Sequence, residues 1–227
     1  MTNPVRTKFV DAIARECQTP RKRALLRRAS GDTLAESQND VFWLFYLLSP
    51  DGEQDPMREN RLFLIATLLA HDKKAIQRYG ETKALPEAPK NLGTTLDLVE
   101  RAAYPSHWEA RNALLPDPHR PISPIERRLR LLLDARLQPD GRGEMPFRLR
   151  QTVHLILDKG RAVKGVEGLI DWDALLEDLR WWDDPDKKRQ KNWAREFYRY
   201  HAPEEAAAQN GDDGGADAED LIDLDEE

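Results

Sequence analysis

The chain has 227 residues, of which 40% are hydrophobic and 33% are charged, so it is long enough to bury a core and polar enough to stay in solution. No run approaches the roughly 18 apolar residues that a membrane span requires, and residues 1–10 carry no apolar signal-peptide core. The single cysteine, Cys17, excludes an intramolecular disulfide, and together these features predict a cytoplasmic protein without membrane contact.

The net charge of −6 hides a strong asymmetry along the chain. Residues 204–227 contain eleven of the 41 acidic side chains and none of the 35 basic ones, which leaves a balance of +5 for residues 1–203. A basic body indicates a polyanionic partner such as nucleic acid, although a solubilising tail on an ordinary domain would give the same charges. The segment after Pro203 is mostly Ala, Gly, Asp and Glu, a composition that predicts disorder.

Apolar residues in the first half of the chain recur at helical spacing, and no strand pattern is evident. Gly31, Pro20 and the turn at residues 49–52 separate the predicted elements. Six prolines interrupt residues 80–121, where only shorter helices are predicted. The predicted helices of this half cover residues 9–16, 21–30, 41–48, 61–70, 94–103 and 108–115.

The second half predicts four more helices, at residues 123–137, 147–158, 172–182 and 184–200. Ser123, Asp171 and Asp184 have side chains that are favoured at helix N-caps, and Pro124 and Pro185 stand at the favoured first positions. The sequence therefore predicts an all-α, two-lobed helical bundle. Its lobes cover residues 1–116 and 117–202, and a disordered acidic tail covers residues 203–227.

Arginines cluster on the outer faces of several predicted helices. In residues 21–30, one side of the helix is apolar, and the opposite side carries Arg21, Arg23, Arg27 and Arg28. Similar faces carry Arg127, Arg128 and Arg130, then Arg148, then Lys188, Lys191, Arg195 and Arg199. Guanidinium groups match phosphate oxygens geometrically, but each such face alone is more often a solvated surface than a binding site. The chain has no recognised sequence-reading motif, so any nucleic-acid contact is predicted to involve the backbone and to depend on salt.

Residues with catalytic potential are sparse. His71 and Asp72 suggest a metal-binding pair, but the other histidines have no ligand spacing, and a helix C-terminus is the more common reason for such a pair. Cys17 is predicted to be a small core residue, and no phosphate-binding glycine loop or nucleophile elbow is present. The sequence predicts a protein without catalytic residues, metal or cofactor. A helical metal-dependent hydrolase with its metal near His71 remains as an alternative.

The C-terminal helices carry the most distinctive pattern. It reads D-W-x-x-L-x-x-D-L-x-x-W over residues 171–182, followed by W-A-R-x-F-Y over residues 193–198. With residues 24–29, 42–48, 66–71, 126–128 and 149–150, this pattern resembles the CasB family, the small subunit of the type I-E CRISPR Cascade complex. The resemblance covers about residues 20–200. The chain departs from the family pattern in two places, which are the expanded, proline-rich residues 103–121 and the acidic tail.

The resemblance implies a two-lobed helical subunit without catalytic activity, present in two copies. It would contact the Cascade backbone subunits that hold the guide RNA and the large subunit. Its basic surface would stabilise the target DNA and the displaced strand in antiviral defence. Matched residue by residue, this implies nucleic-acid contacts for Arg27, Arg28, Lys73, Lys74, Arg78, Arg127, Arg128, Arg136, Arg148 and Arg150. The alternative is a protein–protein adaptor without direct nucleic-acid contact.

Overall fold

The computed structural model describes residues 8–48, 55–80, 91–113, 117–138, 140, 142–163 and 168–201. Within these ranges the chain forms twelve α-helices, two short 3₁₀ turns and one isolated bridge between Ser30 and Asp32. The helices are α1 (Lys8–Glu16), α2 (Pro20–Arg28), α3 (Leu34–Val41), α4 (Phe45–Leu48), α5 (Pro56–Leu69), α6 (Lys73–Gly80), α7 (Leu92–Ala103), α8 (Pro105–Arg111), α9 (Pro124–Leu133), α10 (Glu144–Lys159), α11 (Trp172–Arg180) and α12 (Lys188–Phe197).

The all-α prediction is confirmed. No helix in the described ranges is long and apolar enough to cross a membrane. The lobe boundary near residue 116 stays a prediction, and the acidic tail at residues 203–227 lies outside the described residues.

A single hydrophobic cluster runs through both halves of the described chain. The predicted inner face of α5 is fully buried, and α5 packs against α1, α2 and α11. Helix α7 packs against α9, α10 and α12, so helices from both halves of the sequence contribute to the same core. Each large apolar side chain that leaves water contributes on the order of 1.5–3 kcal/mol. Burial across these helix pairs is therefore the main source of stability.

Four buried tryptophans join distant parts of this core, and each indole N–H finds an acceptor. Trp172 Nε1 donates to Asp72 Oδ2 at 3.1 Å, Trp182 Nε1 to the Ala135 carbonyl at 2.9 Å and Trp193 Nε1 to Asp178 Oδ2 at 2.6 Å. Trp108 Nε1 donates to Asp97 Oδ1 at 3.0 Å. The rings of Trp182 and Trp193 lie 4.8 Å apart, so the last helix packs against the segment that follows α11. The C-terminal aromatic pattern therefore serves the core.

A buried ionic cluster fixes α8 against α7. Arg111 is only 7% exposed, and its Nε and Nη2 atoms lie 2.7 Å and 2.5 Å from the carboxylates of Glu100 and Asp97. The same guanidinium donates to the Phe197 carbonyl at the end of α12. Because two carboxylates share one arginine, loss of that arginine would leave uncompensated charge inside the protein. This cluster is a structural element, and none of its residues is available to a ligand.

Two helices were not predicted from the sequence. Helix α3 begins at Thr33, whose hydroxyl accepts from the Glu36 N–H while the Glu36 carboxylate accepts from the Thr33 N–H, a capping box. Helix α6 begins after Asp72, whose side chain accepts from the Ala75 N–H at 3.0 Å. Asp72 therefore starts a helix, although the sequence pattern had suggested only the end of one.

Several predicted boundaries and burials are wrong. Residues 41–48 form a 3₁₀ turn and the short α4 instead of one buried helix, and Phe42 is 71% exposed. Helix α9 ends at Leu133, four residues before the predicted end, because the chain leaves the helix at Asp134. The last helix does not start at Asp184. It starts after Lys187, which has a positive φ of 51°. Tyr200 lies beyond the end of α12 and is 50% exposed, although helical spacing from Trp193 and Phe197 would bury it.

Candidate nucleic-acid interface

Helix α2 presents two arginines to solvent at its C-terminal end. Leu26 and Ala29 are buried, whereas Arg27 and Arg28 are exposed and form no hydrogen bond or ion pair with another described side chain. Positive charge in the last helical turn interacts favourably with the helix dipole, so these arginines suit the helix without needing an acidic partner. Lys22, which intrudes on the apolar side, pairs with Glu16 and lies over the Trp43 ring. The outer face of α2 therefore leaves Arg27 and Arg28 available.

Helix α9 carries a second pair of candidate arginines. Its N-terminus is capped as predicted, because the Ser123 hydroxyl accepts from the Glu126 N–H at 2.9 Å. Arg127 is exposed and Arg128 is half-buried, and neither pairs with another described side chain. Arg130 differs, since it binds Glu126 at 2.6 Å and also donates to the Tyr198 hydroxyl. The available charges on α9 are therefore Arg127 and Arg128.

Glu126 explains why Arg130 is not available. Burial raises the pKa of Glu126, but hydrogen bonds from Arg120 and Arg130 outweigh burial and hold that pKa below its ordinary value. The carboxylate therefore stays ionised and engages both guanidinium groups. This cluster ties the loop before α9 to the helix itself.

The candidate nucleic-acid-binding residues of helix α10 lie beside the N-terminal half of the chain. Arg150 Nη1 donates to the Ser30 carbonyl at 2.7 Å, just beyond the end of α2. Its guanidinium also packs against Gly31, where a side chain would overlap it. The exposed ring of Phe147 lies between two arginines, with its centroid 5.6 Å from Arg148 Cζ and 5.7 Å from Arg150 Cζ. An exposed aromatic ring beside arginines is the arrangement on which nucleic-acid bases stack.

Two histidines lie beside Arg27 and Arg150. The ring centroids of His71, which follows α5, and His154, on α10, are 4.6 Å apart. Burial, with the charges of His154, Arg27 and Arg150, lowers the pKa of His71 to about 4. Partial desolvation of the His154 ring by neighbouring protein atoms, with the charges of Arg150 and Arg27, also lowers the pKa of His154, although its side chain remains exposed. Four basic side chains from three parts of the chain therefore converge at one place.

The remaining predicted contacts lie in other surroundings. Lys73 and Lys74 are exposed in the first turn of α6, whereas Arg78 is half-buried, with its guanidinium against Gly168 and near the Tyr79 ring. Arg136 is exposed beyond the end of α9, and it is not part of that helix as predicted. It borders a shallow groove of about 330 Å³ whose lining mixes both signs of charge, since it includes Lys187, Asp134, Asp183 and Asp184.

The structure thus brings Arg150 to the end of α2, where Arg27 and Arg150 both act electrostatically on His71 and His154, and it places Arg148 and Arg150 beside the Phe147 ring. Arg78 and Arg136 do not join this group. Sequence reasoning missed His71, His154 and Phe147 as members of the site. The spacing of Arg150 and His154, four residues apart on one helix, was the available signal for His154. Among the residues that the structure describes, no three His, Cys, Asp or Glu side chains are grouped to hold a metal ion.

Comparison with known proteins gives a consistent result. The family model of the CRISPR-associated protein Cse2 matches residues 22–198. A Cse2 protein from Thermus thermophilus is 41% identical over 81 residues, which cover 36% of this chain and 39% of that relative. The aligned segment therefore spans well under half of that relative's sequence.

Two solved structures are similar over most of their length. The crystal structure of a Cse2 family protein from Thermus thermophilus has a TM-score of 0.56 at 24% identity, covering 84% of this chain and 96% of that one, and it supports the fold alone. The crystal structure of M. ruber CasB has a TM-score of 0.53 at 25% identity, covering 89% of this chain and 97% of that one. Because the family model covers most of the chain, the protein belongs to the Cse2 (CasB) family of CRISPR-associated proteins.

Proposed function

We propose that this protein is the non-catalytic small subunit of a type I-E Cascade complex, and that it stabilises the target DNA and the displaced strand through sequence-independent contacts to their backbones. Its partners in this role are the Cascade backbone and large subunits, a second copy of itself, the guide RNA complex and both DNA strands. Membership of the Cse2 family supports the assignment to a CRISPR complex.

One observation carries the proposed DNA contact. The exposed arginines of α2 and the available arginines of α9 form no hydrogen bond or ion pair with another described side chain, whereas Arg111, Arg120 and Arg130 are engaged by carboxylates. Arginines that the fold does not use remain free to bind phosphate oxygens. We expect Arg27, Arg28, Arg127 and Arg128 to make the main contacts, with Lys73 and Lys74 beside them and Arg148 and Arg150 bordering the exposed ring of Phe147.

Such contacts suit the energetics of an RNA-guided complex. A guide–target heteroduplex is about as stable as the DNA duplex that it replaces, so a modest additional energy decides whether the strands stay open. Several arginines that hold the displaced strand would disfavour its return to the duplex. Backbone contacts serve this purpose because they work with any target sequence.

The full chain and a chain without residues 204–227 provide a direct test with single-stranded oligonucleotides. We expect both to bind with an affinity that falls as salt rises, and the shortened chain to bind more tightly because eleven carboxylates are gone. The variant with Arg27, Arg28, Arg127 and Arg128 all changed to Ala should lose most of this binding. Absence of salt-dependent binding by either chain would refute direct contact.

Exposed aromatic side chains favour a second candidate, an adaptor that contacts only proteins. Phe42 is 71% exposed and Tyr46 is 55% exposed, one helical turn later. Large exposed aromatic side chains mark protein interfaces more often than chance. In an adaptor, Phe42→Ser should weaken assembly with the other subunits, and the isolated wild-type chain should show no salt-dependent oligonucleotide binding, which is where the two candidates differ.

A further inference from the structure

The cluster around His71 and His154 combines two imidazole rings with two guanidinium groups. Arg27 extends from α2, Arg150 and His154 lie one turn apart on α10, and His71 follows α5. The two imidazole rings are 4.6 Å apart and inclined by 54°. His71 Nε2 is buried and has no hydrogen-bond partner in the described part of the chain, whereas His154 is exposed.

The charges that act on the pair have one sign. From α2 the charged group is Arg27, and from α10 it is Arg150, whose Nη1 donates to the Ser30 carbonyl at 2.7 Å; Asp158, one turn beyond His154, pairs with Lys159. The carboxylate nearest in sequence, Asp72, is directed elsewhere, to the Ala75 N–H and the Trp172 indole. Desolvation and the charges of Arg27 and Arg150 therefore lower the pKa of both imidazoles in the free protein.

We propose that Arg27, Arg150 and His154 form a binding subsite for one phosphate group, and that His154 takes up one proton when the phosphate binds. This inference rests on the proposed function, because the phosphate belongs to a nucleic-acid backbone. Arg27 and His154 contribute because they are exposed, and Arg150 contributes the guanidinium atoms that Ser30 does not hold.

The proton goes to His154 and not to His71 for a physical reason. A charge on His154 lowers the pKa of His71, so the exposed ring is protonated first and the buried ring stays neutral behind it. In the free protein, Arg27 and Arg150 disfavour a charge on His154. A bound phosphate reverses this field and raises the pKa of His154, because an opposite charge favours the protonated form. The imidazolium then donates to a phosphate oxygen.

Proton uptake gives the inference a direct test. Calorimetric titration of the full chain with a short oligothymidylate, in two buffers that differ in their heat of ionisation, counts the protons taken up. We expect nearly one proton per site near pH 6 and an affinity that rises up to about tenfold for each pH unit between pH 7 and pH 5. A second arm replaces the oligonucleotide with inorganic phosphate, which asks whether the site recognises phosphate by itself or only as part of a strand.

Matched variants localise the proton. His154→Gln should abolish the proton uptake and flatten the rise in affinity between pH 7 and pH 5. His119→Gln removes an exposed histidine outside the cluster and should leave the proton uptake intact. Circular dichroism shows whether each variant is folded. Titration of the imidazole signals by NMR in the wild type gives the pKa of His154 with and without ligand, and it does not depend on any variant.

The outcomes separate the two proposals. Salt-dependent oligonucleotide binding without proton uptake, or with uptake that His154→Gln does not change, overturns this subsite and leaves the proposed function standing. Binding of inorganic phosphate without oligonucleotide binding refutes both proposals, because the subsite takes its phosphate from a nucleic-acid strand. Binding of neither probe refutes both.

Discussion

Arg150 Nη1 donates to the Ser30 carbonyl, and the guanidinium lies where a side chain on Gly31 would have to go. Gly31 has a φ of +123°, a conformation that residues with a side chain rarely adopt. One arginine thus closes the gap between α10 and the end of α2, and the glycine makes room for it. This contact places Arg150 in the candidate interface and also limits its freedom.

Gly31→Ala should therefore destabilise the protein through both backbone strain and steric overlap with Arg150. We expect a loss of about 1–3 kcal/mol in the free energy of unfolding, measured by chemical denaturation. The same substitution in an Arg150→Ala background should cost less, because only the strain remains. Equal losses in the two backgrounds would show that the guanidinium does not occupy this space.

The lowered pKa of His71 predicts that the stability of the protein depends on pH. Its pKa is lowered from 6.5 to about 4, so at intermediate pH the unfolded chain binds a proton that the folded protein does not. The contribution of His71 to stability is therefore intact above pH 7 and decreases as the pH falls from about 6.5 towards 4.

Comparison with His71→Gln isolates this effect from the titration of carboxylates. Between pH 7 and pH 5, the wild type should lose up to about 2 kcal/mol more of its unfolding free energy than the variant does. Denaturation curves at both pH values measure the difference. Parallel pH profiles for the two proteins would mean that His71 is not kept neutral by the fold.

Arg111 should be among the least replaceable residues for stability. Arg111→Met would leave Asp97 and Glu100 without their cation in the interior, and we expect a loss of about 3–5 kcal/mol in unfolding free energy. Arg127→Ala removes an exposed arginine and should change stability by less than about 0.5 kcal/mol. A small loss for Arg111→Met would indicate that water reaches the two carboxylates.

Cys17 provides a probe of unfolding. It is fully buried on the inner side of the N-terminal helices, and burial raises the pKa of its thiol to about 12. Since the thiolate is the reactive form, we expect no reaction with a thiol-specific alkylating reagent at neutral pH until the chain opens. The fraction alkylated should follow the denaturation curve measured by circular dichroism. Rapid alkylation under native conditions would contradict the burial of this thiol.

Strong local signals made most of the helices predictable. Ser123 and Asp171 cap helices as expected, with Pro124 in the first position of α9. The apolar faces of α5 and α11 are buried as their spacing indicates. In each case the capping residue and the apolar stripe point to the same helix, which is why the prediction succeeds.

Failures occurred where such signals were weak or in conflict. Helix α3 is mostly polar and buries few side chains, so it has almost no apolar stripe, although Thr33 and Glu36 carry a capping-box signature. At the last helix, Asp184 accepts from the Asp186 N–H and forms a turn, so it does not cap the helix that begins four residues later at Lys188. An Asp side chain that accepts from a nearby backbone N–H can form a turn or cap a helix, so the residue type alone does not decide between the two.

The candidate site was only partly predictable, for a different reason. Exposure of Arg27, Arg28 and Arg127 follows from helical periodicity within each element. The convergence of Arg27 with Arg150, His71 and His154 depends on how α2, α5 and α10 pack, which no local pattern contains. Arg130 illustrates the opposite error, because its outward position suggested availability while Glu126 and Tyr198 engage it.

The most direct test of the central claim is target-DNA binding by the assembled complex that contains Arg27→Ala with Arg128→Ala. Arg195→Ala with Arg199→Ala removes the same charge from exposed positions outside the candidate interface and serves as the control. We expect the first variant to weaken binding most at low salt and to reduce the slope of log affinity against log salt by about 1.5, as two lost phosphate contacts require. The control should match the wild type. Unchanged affinity and an unchanged slope in the first variant would contradict the proposed contact with DNA.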